Sequence, residues 1–347
     1  MKKQMKKENN LNQILNNDEK IDLTLSYSRL SDFDRNGPQA LIRKSDVENK
    51  GIKHGSIVND LLVEKLTGEP LFSNRYYIYD ENKPTAMLGQ LCDIVLNNYD
   101  KLPSKETILK IVRNNAFWSN ITKEETLIAK FDNNEFWEYL KIQFKIKDKL
   151  VITFNEHLSA KNTVNTLLSH EYSKDIFYND FENYHELPFE IEYKNFKFKG
   201  ILDIFQIDHK NKKVYMIDLK TGAGKSETFL KSFIDYRYYY QGAIYRMAFK
   251  YFCDKFGLVD YTLENFKFLF IGKSENIPII FEFTEKWNQA AIKGFKTKSG
   301  YFYTGIDENL EKIYYHWKHN KYDFSKDVYE QNGCLILDDN FIEVNEV

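Results

Sequence analysis

The chain has 347 residues, which is enough for one large domain or two smaller ones. Hydrophobic residues make up 42% and charged residues 29%, a balance that predicts a soluble globular protein and excludes an intrinsically disordered one. The formal net charge of -2 excludes nucleic-acid binding by the whole surface, so a DNA contact requires a local basic patch.

The cysteine pattern and the start of the chain bear on the cellular compartment. Cys92, Cys253 and Cys334 are far apart and form no C-x-x-C pair, which predicts neither a disulfide framework nor a zinc or iron–sulfur site. The basic start lacks the apolar run of a signal peptide, and no stretch reaches the roughly 18 apolar residues of a membrane span. We therefore expect a cytoplasmic protein without membrane contact, in which residues 1–22 form a disordered start.

Residues 23–183 are predicted to be mainly helical. The segment GSIVNDLLVEKLTG places apolar residues on one helical face and stops at Gly68. The segment KPTAMLGQLCDIVL, which starts at Pro84, has the same periodicity. Further helices are predicted near residues 105–115, 123–131, 134–147 and 155–169.

The pattern changes at about Tyr184 to short apolar runs separated by polar turns. The runs ELPFEIEY, FKFKGILDIFQID and KVYMIDLK predict three strands of an antiparallel meander. A long helix is predicted from about Ser226 to Lys255. The runs FKFLFIG and IPIIFEF flank KSEN and predict a second hairpin, and IDENLEKIYYHWKHN predicts a C-terminal helix.

This order of elements predicts an α/β (α+β) fold with a central mixed sheet flanked by helices. The sheet-bearing core is placed at residues 184–320, after the mainly helical region at 23–183. Residues 321–347 are predicted to form a C-terminal extension.

The stretch VYMIDLKTGAGKSETF, residues 214–229, contains two lysines that different functions would use. The segment GAGKS is similar to the end of a phosphate-binding P-loop, which would assign the chemistry to Lys225. However, Leu219 stands where that motif requires its first glycine, and a leucine restricts the loop. The later strands also end in no Asp that could help to hold Mg²⁺. Nucleotide binding is therefore the weaker hypothesis.

Asp218 and Lys220 form the second candidate within this stretch. Asp218 follows residues 214–217, whose apolar side chains predict a buried strand. A charge inside such a run is costly unless it is paired or bound to a metal. Side chains two residues apart share one face of a strand, so we expect Lys220 on the same face as Asp218.

A second acid, Asp203, occurs in the preceding apolar strand. If the two strands form a hairpin around DHKNKK, a symmetric register sets Asp203 opposite Asp218, with Cβ atoms about 5 Å apart. Two facing carboxylates repel unless a cation lies between them or one is protonated. Because Mg²⁺ prefers oxygen ligands, the pattern favours a metal site. The structural alternative is an Asp–Asp–Lys ion cluster that only closes the sheet.

The following helix carries polar residues at helical spacing. Gln241 and Tyr245 are four residues apart and share one face, and Arg237 lies one turn earlier on that face. These side chains are long enough to reach a phosphate, a base edge or an ordered water. The alternative is an ordinary amphipathic helix with a polar stripe.

Three motifs occur in order along the chain: Gly200-x-x-Asp203, Asp218-x-Lys220-Thr221 and Gln241-x-x-x-Tyr245. Together they resemble the PD-(D/E)XK nuclease superfamily, and more narrowly its RecB-type and RecE-type (exonuclease VIII-like) branch, which includes phage recombination exonucleases. The resemblance is clearest over residues 184–255. It extends weakly to SYSRLSDF at 26–33 and HGSIVNDLL at 54–62.

The resemblance implies a restriction-endonuclease-like core and a site for Mg²⁺ or Mn²⁺. The metal ligands would be Asp203, Asp218 and the backbone carbonyl of Leu219. The metal would lower the pKa of a bound water. Lys220 would orient or help to deprotonate that water and would stabilise the developing negative charge.

The resemblance also gives roles to residues outside this core set. Gln241 and Tyr245 would position the nucleophile or the DNA. Where relatives tend to carry a metal-binding His on the early helix, this chain has Asn59, a tentative ligand with one neutral oxygen, and His54 falls outside the expected spacing. Glu190 could supply an extra carboxylate, although its position predicts a solvent-facing side chain.

The implied activity is that of a Mg²⁺-dependent deoxyribonuclease, most closely a 5′→3′ exonuclease on linear double-stranded DNA in recombination or repair. The implied partners are DNA, a single-strand annealing protein and further copies of the chain. The alternative, which Asn59 favours, is a catalytically weakened DNA-binding or assembly protein that keeps the nuclease fold. Residues 286–302 interleave lysines with aromatic residues and predict either a DNA-contact surface or a solvated helix face.

Overall fold

The computed structural model describes residues 21–43, 54–146, 148–273 and 276–334. Most of the predicted disordered start, residues 1–20, lies outside the described residues, as do residues 335–347 of the predicted C-terminal extension. The chain divides into two compact units, one within residues 1–50 and 170–347 and the other within residues 51–169.

The strands and helices follow the chain in this order. The strands are β1 (Thr24–Leu25), β2 (Tyr76–Tyr79), β3 (Leu150–Thr153), β4 (Glu182–Tyr193), β5 (Phe196–Asp208), β6 (Lys213–Gly222), β7 (Thr262–Leu263), β8 (Phe266–Gly272), β9 (Pro278–Phe283), β10 (Phe295–Lys296) and β11 (Phe302–Tyr303). The helices are α1 (Tyr27–Asn36), α2 (His54–Thr67), α3 (Leu71–Arg75), α4 (Ala86–Asn98), α5 (Lys105–Asn114), α6 (Glu124–Ile128), α7 (Asn134–Lys145), α8 (Phe154–Ser169), α9 (Lys174–Phe177), α10 (Phe229–Asp235), α11 (Tyr238–Met247), α12 (Phe249–Phe256), α13 (Glu285–Lys293), α14 (Ile306–His319) and α15 (Lys326–Glu330).

The first unit is built on a mixed seven-stranded sheet with the order β1-β5-β6-β8-β9, in which β4 also pairs with β5 and β7 with β6. Strands β4, β5 and β6 form an antiparallel meander, and β8 and β9 form an antiparallel hairpin. Strand β8 runs parallel to β6 because the chain crosses over through α10, α11 and α12. The predicted α/β fold class, with a central mixed sheet flanked by helices, is confirmed.

Aromatic side chains form much of the core that joins the helices to this sheet. Tyr239 and Tyr240 of α11 and Phe252 of α12 are completely buried, and they belong to one cluster with Phe205 of β5 and Phe268 of β8. Aromatic rings bury a large apolar area each, so this cluster holds α11 firmly against the sheet. The polar residues of α11 are thereby fixed relative to β5 and β6.

The prediction of a single helix from about Ser226 to Lys255 is wrong. Three helices, α10, α11 and α12, cover this segment. Arg237 lies between the first two with a φ of 60°, a left-handed conformation that a continuous right-handed helix cannot contain. The Nε of Arg237 donates to Oδ2 of Asp34 in α1 at 2.6 Å. This pairing with a distant part of the chain leaves no trace in helical periodicity.

The second unit is mainly helical and contains one parallel strand pair, β2 with β3. Helices α2 and α4 to α8 confirm the helices predicted for this part of the chain. The unit has a core of its own that includes Leu91, Phe131, Phe136 and Leu140, all fully buried. Across the ranges that the structure describes, no helix combines the length and the apolar character needed to cross a bilayer.

Candidate active site

The two acidic strands pair in the predicted register. Ile204 of β5 lies opposite Ile217 of β6, and Phe205 lies opposite Met216. One further step along this register places Asp203 opposite Asp218. The turn between β5 and β6 therefore sets the register of the hairpin, and this register brings the two acids together.

Asp203 and Asp218 are also linked through the backbone. The N–H of Leu219 donates to Oδ2 of Asp203 at 2.7 Å. Asp218 is 1% exposed, and Asp203 is partly exposed as a residue while its carboxyl group is enclosed. The two carboxyl groups consequently meet in a space that water reaches poorly.

Lys220 lies on the face of β6 that carries Asp218, as predicted. Its Nζ is 2.6 Å from Oδ2 of Asp218, and its side chain is 17% exposed. The same nitrogen lies 4.9 Å from the centre of the Tyr238 ring, a cation–π distance. The carboxylate and the aromatic ring therefore hold the ammonium group in place from two sides.

Gln241 and Tyr245 reach the site from α11 but contact different atoms. The Nε2 of Gln241 donates to Oδ1 of Asp218 at 2.5 Å. The hydroxyl of Tyr245 donates to the carbonyl of Ile201 on β5 at 2.9 Å. Gln241 thus binds an acidic side chain directly, whereas Tyr245 fixes the backbone two residues before Asp203.

Gly200 has a steric role in this arrangement. A Cβ atom at this position would lie 2.6 Å from Cζ of Phe189 and 3.1 Å from Cε1 of Tyr245. The two rings pack edge to face with their centres 5.2 Å apart. A glycine is needed here because the aromatic pair lies directly on the strand that leads to Asp203.

Burial and charge shift the pKa values of the three central groups. Burial raises the pKa of Asp203 well above its ordinary value, and the charge of Asp218 raises it further. Burial also raises the pKa of Asp218, although Lys220 and Gln241 oppose that effect. Burial by itself would lower the pKa of Lys220, but the carboxylates of Asp218 and Asp203 outweigh it and raise that pKa. Lys220 therefore keeps its proton, while the two acids repel each other.

The donor set fits a hard divalent cation. Asp203 and Asp218 offer carboxylate oxygens, and Oε1 of Gln241 is buried without a hydrogen-bond partner. Among the residues that the structure describes, no group of three or more His, Cys, Asp or Glu side chains is arranged to hold a metal ion. Because Mg²⁺ is commonly bound through one or two carboxylates and keeps several waters, two facing acids are sufficient.

Two predicted site residues, Arg237 and Glu190, are not brought into this set. Arg237, expected on the same face as Gln241, instead pairs with Asp34 and lies over the Tyr303 ring at 5.1 Å, so that prediction is wrong. The side chain of Glu190 is 60% exposed, and its Oε1 lies 3.8 Å from Nζ of Lys197. Glu190 therefore faces solvent, as predicted. Asn59 lies in α2 of the second unit, and its role as a ligand stays a prediction.

Glu186 is an acidic residue that the sequence interpretation missed. It lies on β4 between His185, which pairs with Ile204, and Leu187, which pairs with Leu202, so it is opposite Asp203. The two-residue turn between β4 and β5, Lys194 and Asn195, sets this pairing just as the longer turn sets that of Asp203 with Asp218, so the signal for Glu186 is present in the sequence.

The GAGKS segment has a structural role. Ser226 is fully buried; its Oγ donates to the carbonyl of Ile277 and accepts the N–H of Gly272 at 2.9 Å. A P-loop hydroxyl binds Mg²⁺ instead, so these contacts oppose nucleotide binding. Lys225, the lysine of that hypothesis, is exposed on the surface.

Residues 286–302 include all but the first residue of α13, together with β10 and the start of β11. Tyr301 is 70% and Phe302 is 62% exposed, and Lys296 and Lys298 are exposed beside them. The segment from 294 onwards is therefore not a solvated helix face. Its role as a DNA-contact surface stays a prediction.

No protein-family model matches the chain, and no curated protein matches it. One solved structure, from Eubacterium rectale and provisionally named an exonuclease, is similar over 71% of this chain and 80% of that chain, with 13% identity and a TM-score of 0.34. A similarity of this size leaves the function to be argued from the site itself.

Proposed function

We propose that the protein is a metal-dependent DNA nuclease that hydrolyses phosphodiester bonds, acting from the 5′ ends of linear double-stranded DNA. The observation that supports this proposal is the Asp203–Asp218 pair with Lys220 Nζ held 2.6 Å from one of its oxygens. Burying two acids and a lysine in one hairpin lowers the stability of the fold. Buried ionisable groups with shifted pKa values are typical of catalytic sites.

The cation in this proposal is Mg²⁺ or Mn²⁺, held by Asp203, Asp218 and the backbone carbonyl of Leu219. A bound divalent cation supplies Lewis acidity and a water of lowered pKa. Asp203 and Asp218 supply the negative charge that retains such a cation in a site of low dielectric constant.

Lys220 acts on the reacting atoms in this proposal. Its protonated ammonium group is directed by Asp218 and the Tyr238 ring. From there it orients the attacking water and stabilises the negative charge that develops on the phosphate oxygens. Because the group is already in place before substrate binds, no reorganisation is required during the reaction.

Gln241 and Tyr245 have positioning roles in the proposal. Gln241 holds Asp218 in one orientation by donating to its Oδ1. Tyr245 holds the strand that carries Asp203 by donating to the carbonyl of Ile201. The proposed partners are DNA, a single-strand annealing protein and further copies of the chain. The exposed lysines and aromatics at 296–302 are the proposed DNA contact.

The test is Mg²⁺-dependent cleavage of linear DNA labelled at the 5′ or the 3′ end. The wild type and Lys225→Ala should release the 5′ label first and leave closed circles intact. Lys220→Ala should be slower by about 100-fold or more, the loss typical when one charge-stabilising donor is removed. Loss of activity only in Lys225→Ala would contradict the proposal. DNA binding without cleavage in Mg²⁺ or Mn²⁺ would identify a binding protein that keeps the fold.

A further inference from the structure

A row of three acids crosses three neighbouring strands at the candidate site. Glu186 on β4 lies opposite Asp203 on β5, which lies opposite Asp218 on β6, by the registers of the two hairpins. A row of like charges on adjacent strands is destabilising unless a cation offsets it.

A second, independent feature indicates a ligand at the same place. Gln241 is 4% exposed, and its Oε1 is buried without a hydrogen-bond partner while its Nε2 donates to Asp218. An unpaired buried carbonyl oxygen costs about 1–3 kcal/mol. A cation or one of its waters next to Asp218 would remove that cost.

The backbone of Glu186 has an uncommon conformation. Its φ is 51°, in the left-handed region that is uncommon for residues other than glycine. Such a conformation persists only where the surrounding structure enforces it. The chain thus keeps a glutamate at a position where glycine would be less strained.

We infer that Glu186 is the third carboxylate of the candidate cation site, where it holds a water ligand of the bound divalent cation; this inference rests on the proposed function. A contact through water leaves the direct coordination of the cation to Asp203 and Asp218. It also suits Mg²⁺, which keeps several waters when it binds to proteins. Glu186 is therefore a positioning residue.

The test measures binding of Mn²⁺ alone to the full chain by calorimetry, without DNA. Glu186→Gln should weaken Mn²⁺ binding by about 10- to 100-fold, the range for residues that hold a metal through another group. The matched control is Glu190→Gln on the same strand, whose side chain is 60% exposed and which should bind like the wild type. Glu186→Asp, which keeps a carboxylate, should lie between the wild type and Glu186→Gln.

A glycine variant separates this role from a structural one. Glycine adopts positive φ without strain, so Glu186→Gly should keep or raise the midpoint of thermal unfolding while it weakens Mn²⁺ binding. A structural role for the carboxylate would instead lower that midpoint and leave the affinity of the folded protein unchanged, and this result would overturn the inference.

The inference and the proposed function can fail separately. If Glu186→Gln binds Mn²⁺ like the wild type while Asp218→Asn loses binding, the inference about Glu186 is wrong and the proposed function stands. If Asp218→Asn also binds Mn²⁺ like the wild type, the cation site is not at this hairpin and both are wrong.

Discussion

Lys220 and Asp218 form a nearly buried ion pair, with 2.6 Å between Nζ and Oδ2 and side chains that are 17% and 2% exposed. Such a pair contributes little net stability because both charges have lost their water. Removing one partner, however, leaves the other charge buried without compensation. This asymmetry makes the pair easy to test in the absence of substrate.

We expect Lys220→Met to lower the free energy of unfolding by about 3–5 kcal/mol at pH 8 in the presence of a chelator. Adding Asp218→Asn to this variant should recover part of the loss, because the uncompensated carboxylate is then gone. Urea denaturation measures both effects. Lys231→Met, which removes an 81% exposed lysine paired with Asp235, is the control and should leave the free energy of unfolding nearly unchanged. If Lys220→Met has the same free energy of unfolding as the wild type, Asp218 is already neutral in the folded protein and this prediction is wrong.

Ser226→Ala should separate stability from activity. The substitution leaves the N–H of Gly272 and the carbonyl of Ile277 without their side-chain partner. The free energy of unfolding should therefore fall by about 1–3 kcal/mol, while cleavage per folded molecule stays the same. The exposed Ser119→Ala, in the second unit, should affect neither quantity. Loss of activity in a stable Ser226→Ala protein would revive the P-loop hypothesis.

Gly200→Ala should disturb the site through packing. The added Cβ meets the Phe189 ring at 2.6 Å and the Tyr245 ring at 3.1 Å, so one of the rings must move. We expect a loss of about 1–3 kcal/mol in unfolding free energy, together with reduced cleavage, since Tyr245 fixes the strand of Asp203. Gly224→Ala is the matched control, because its Cβ would meet only the Thr228 hydroxyl at 3.1 Å. Equal effects of the two substitutions would contradict this account of Gly200.

Asp307, in the first turn of α14, should give the protein a measurable acid sensitivity. Its carboxylate accepts from Lys194 at 2.7 Å, Lys293 at 2.8 Å and the Tyr193 hydroxyl at 2.9 Å. Burial alone would raise its pKa, but these donors outweigh burial and lower the pKa below the ordinary 3.8. The ionised Asp307 carboxylate therefore stabilises the folded protein fully above about pH 4. This contribution to the free energy of unfolding is lost as the pH falls through the lowered pKa of Asp307.

Asp307→Asn should accordingly destabilise the protein at pH 7, and the difference from the wild type should shrink below about pH 4. Urea denaturation at several pH values measures this difference. Asp254→Asn, which removes one partner of an exposed i,i+4 pair with Lys250, is the control and should leave the free energy of unfolding nearly unchanged. A destabilisation by Asp307→Asn that does not change with pH would show that shape, not charge, matters at this position.

The local pattern of the chain was sufficient for much of the fold and for the centre of the site. Alternating apolar residues and a polar turn predicted β5, β6 and their register, because a hairpin is a local structure whose turn fixes which residues face each other. The same pattern placed Asp203, Asp218 and Lys220 together before any tertiary contact was considered. Helical periodicity predicted α4 to α8 equally well.

Only the tertiary structure decided what surrounds these residues. At the break between α10 and α11, Arg237 pairs with Asp34 of a distant helix. Tyr238 follows this break directly, and its ring helps to hold the ammonium group of Lys220 in place. Glu186 lies one strand further away, with a backbone conformation that its residue type does not favour. The periodicity of apolar residues predicts which face of a helix or strand is buried. It does not predict contacts between segments that are distant in the sequence, because these depend on how the elements pack. The sequence by itself therefore determined the acids and the lysine of the hairpin, and packing decided which groups hold them in place.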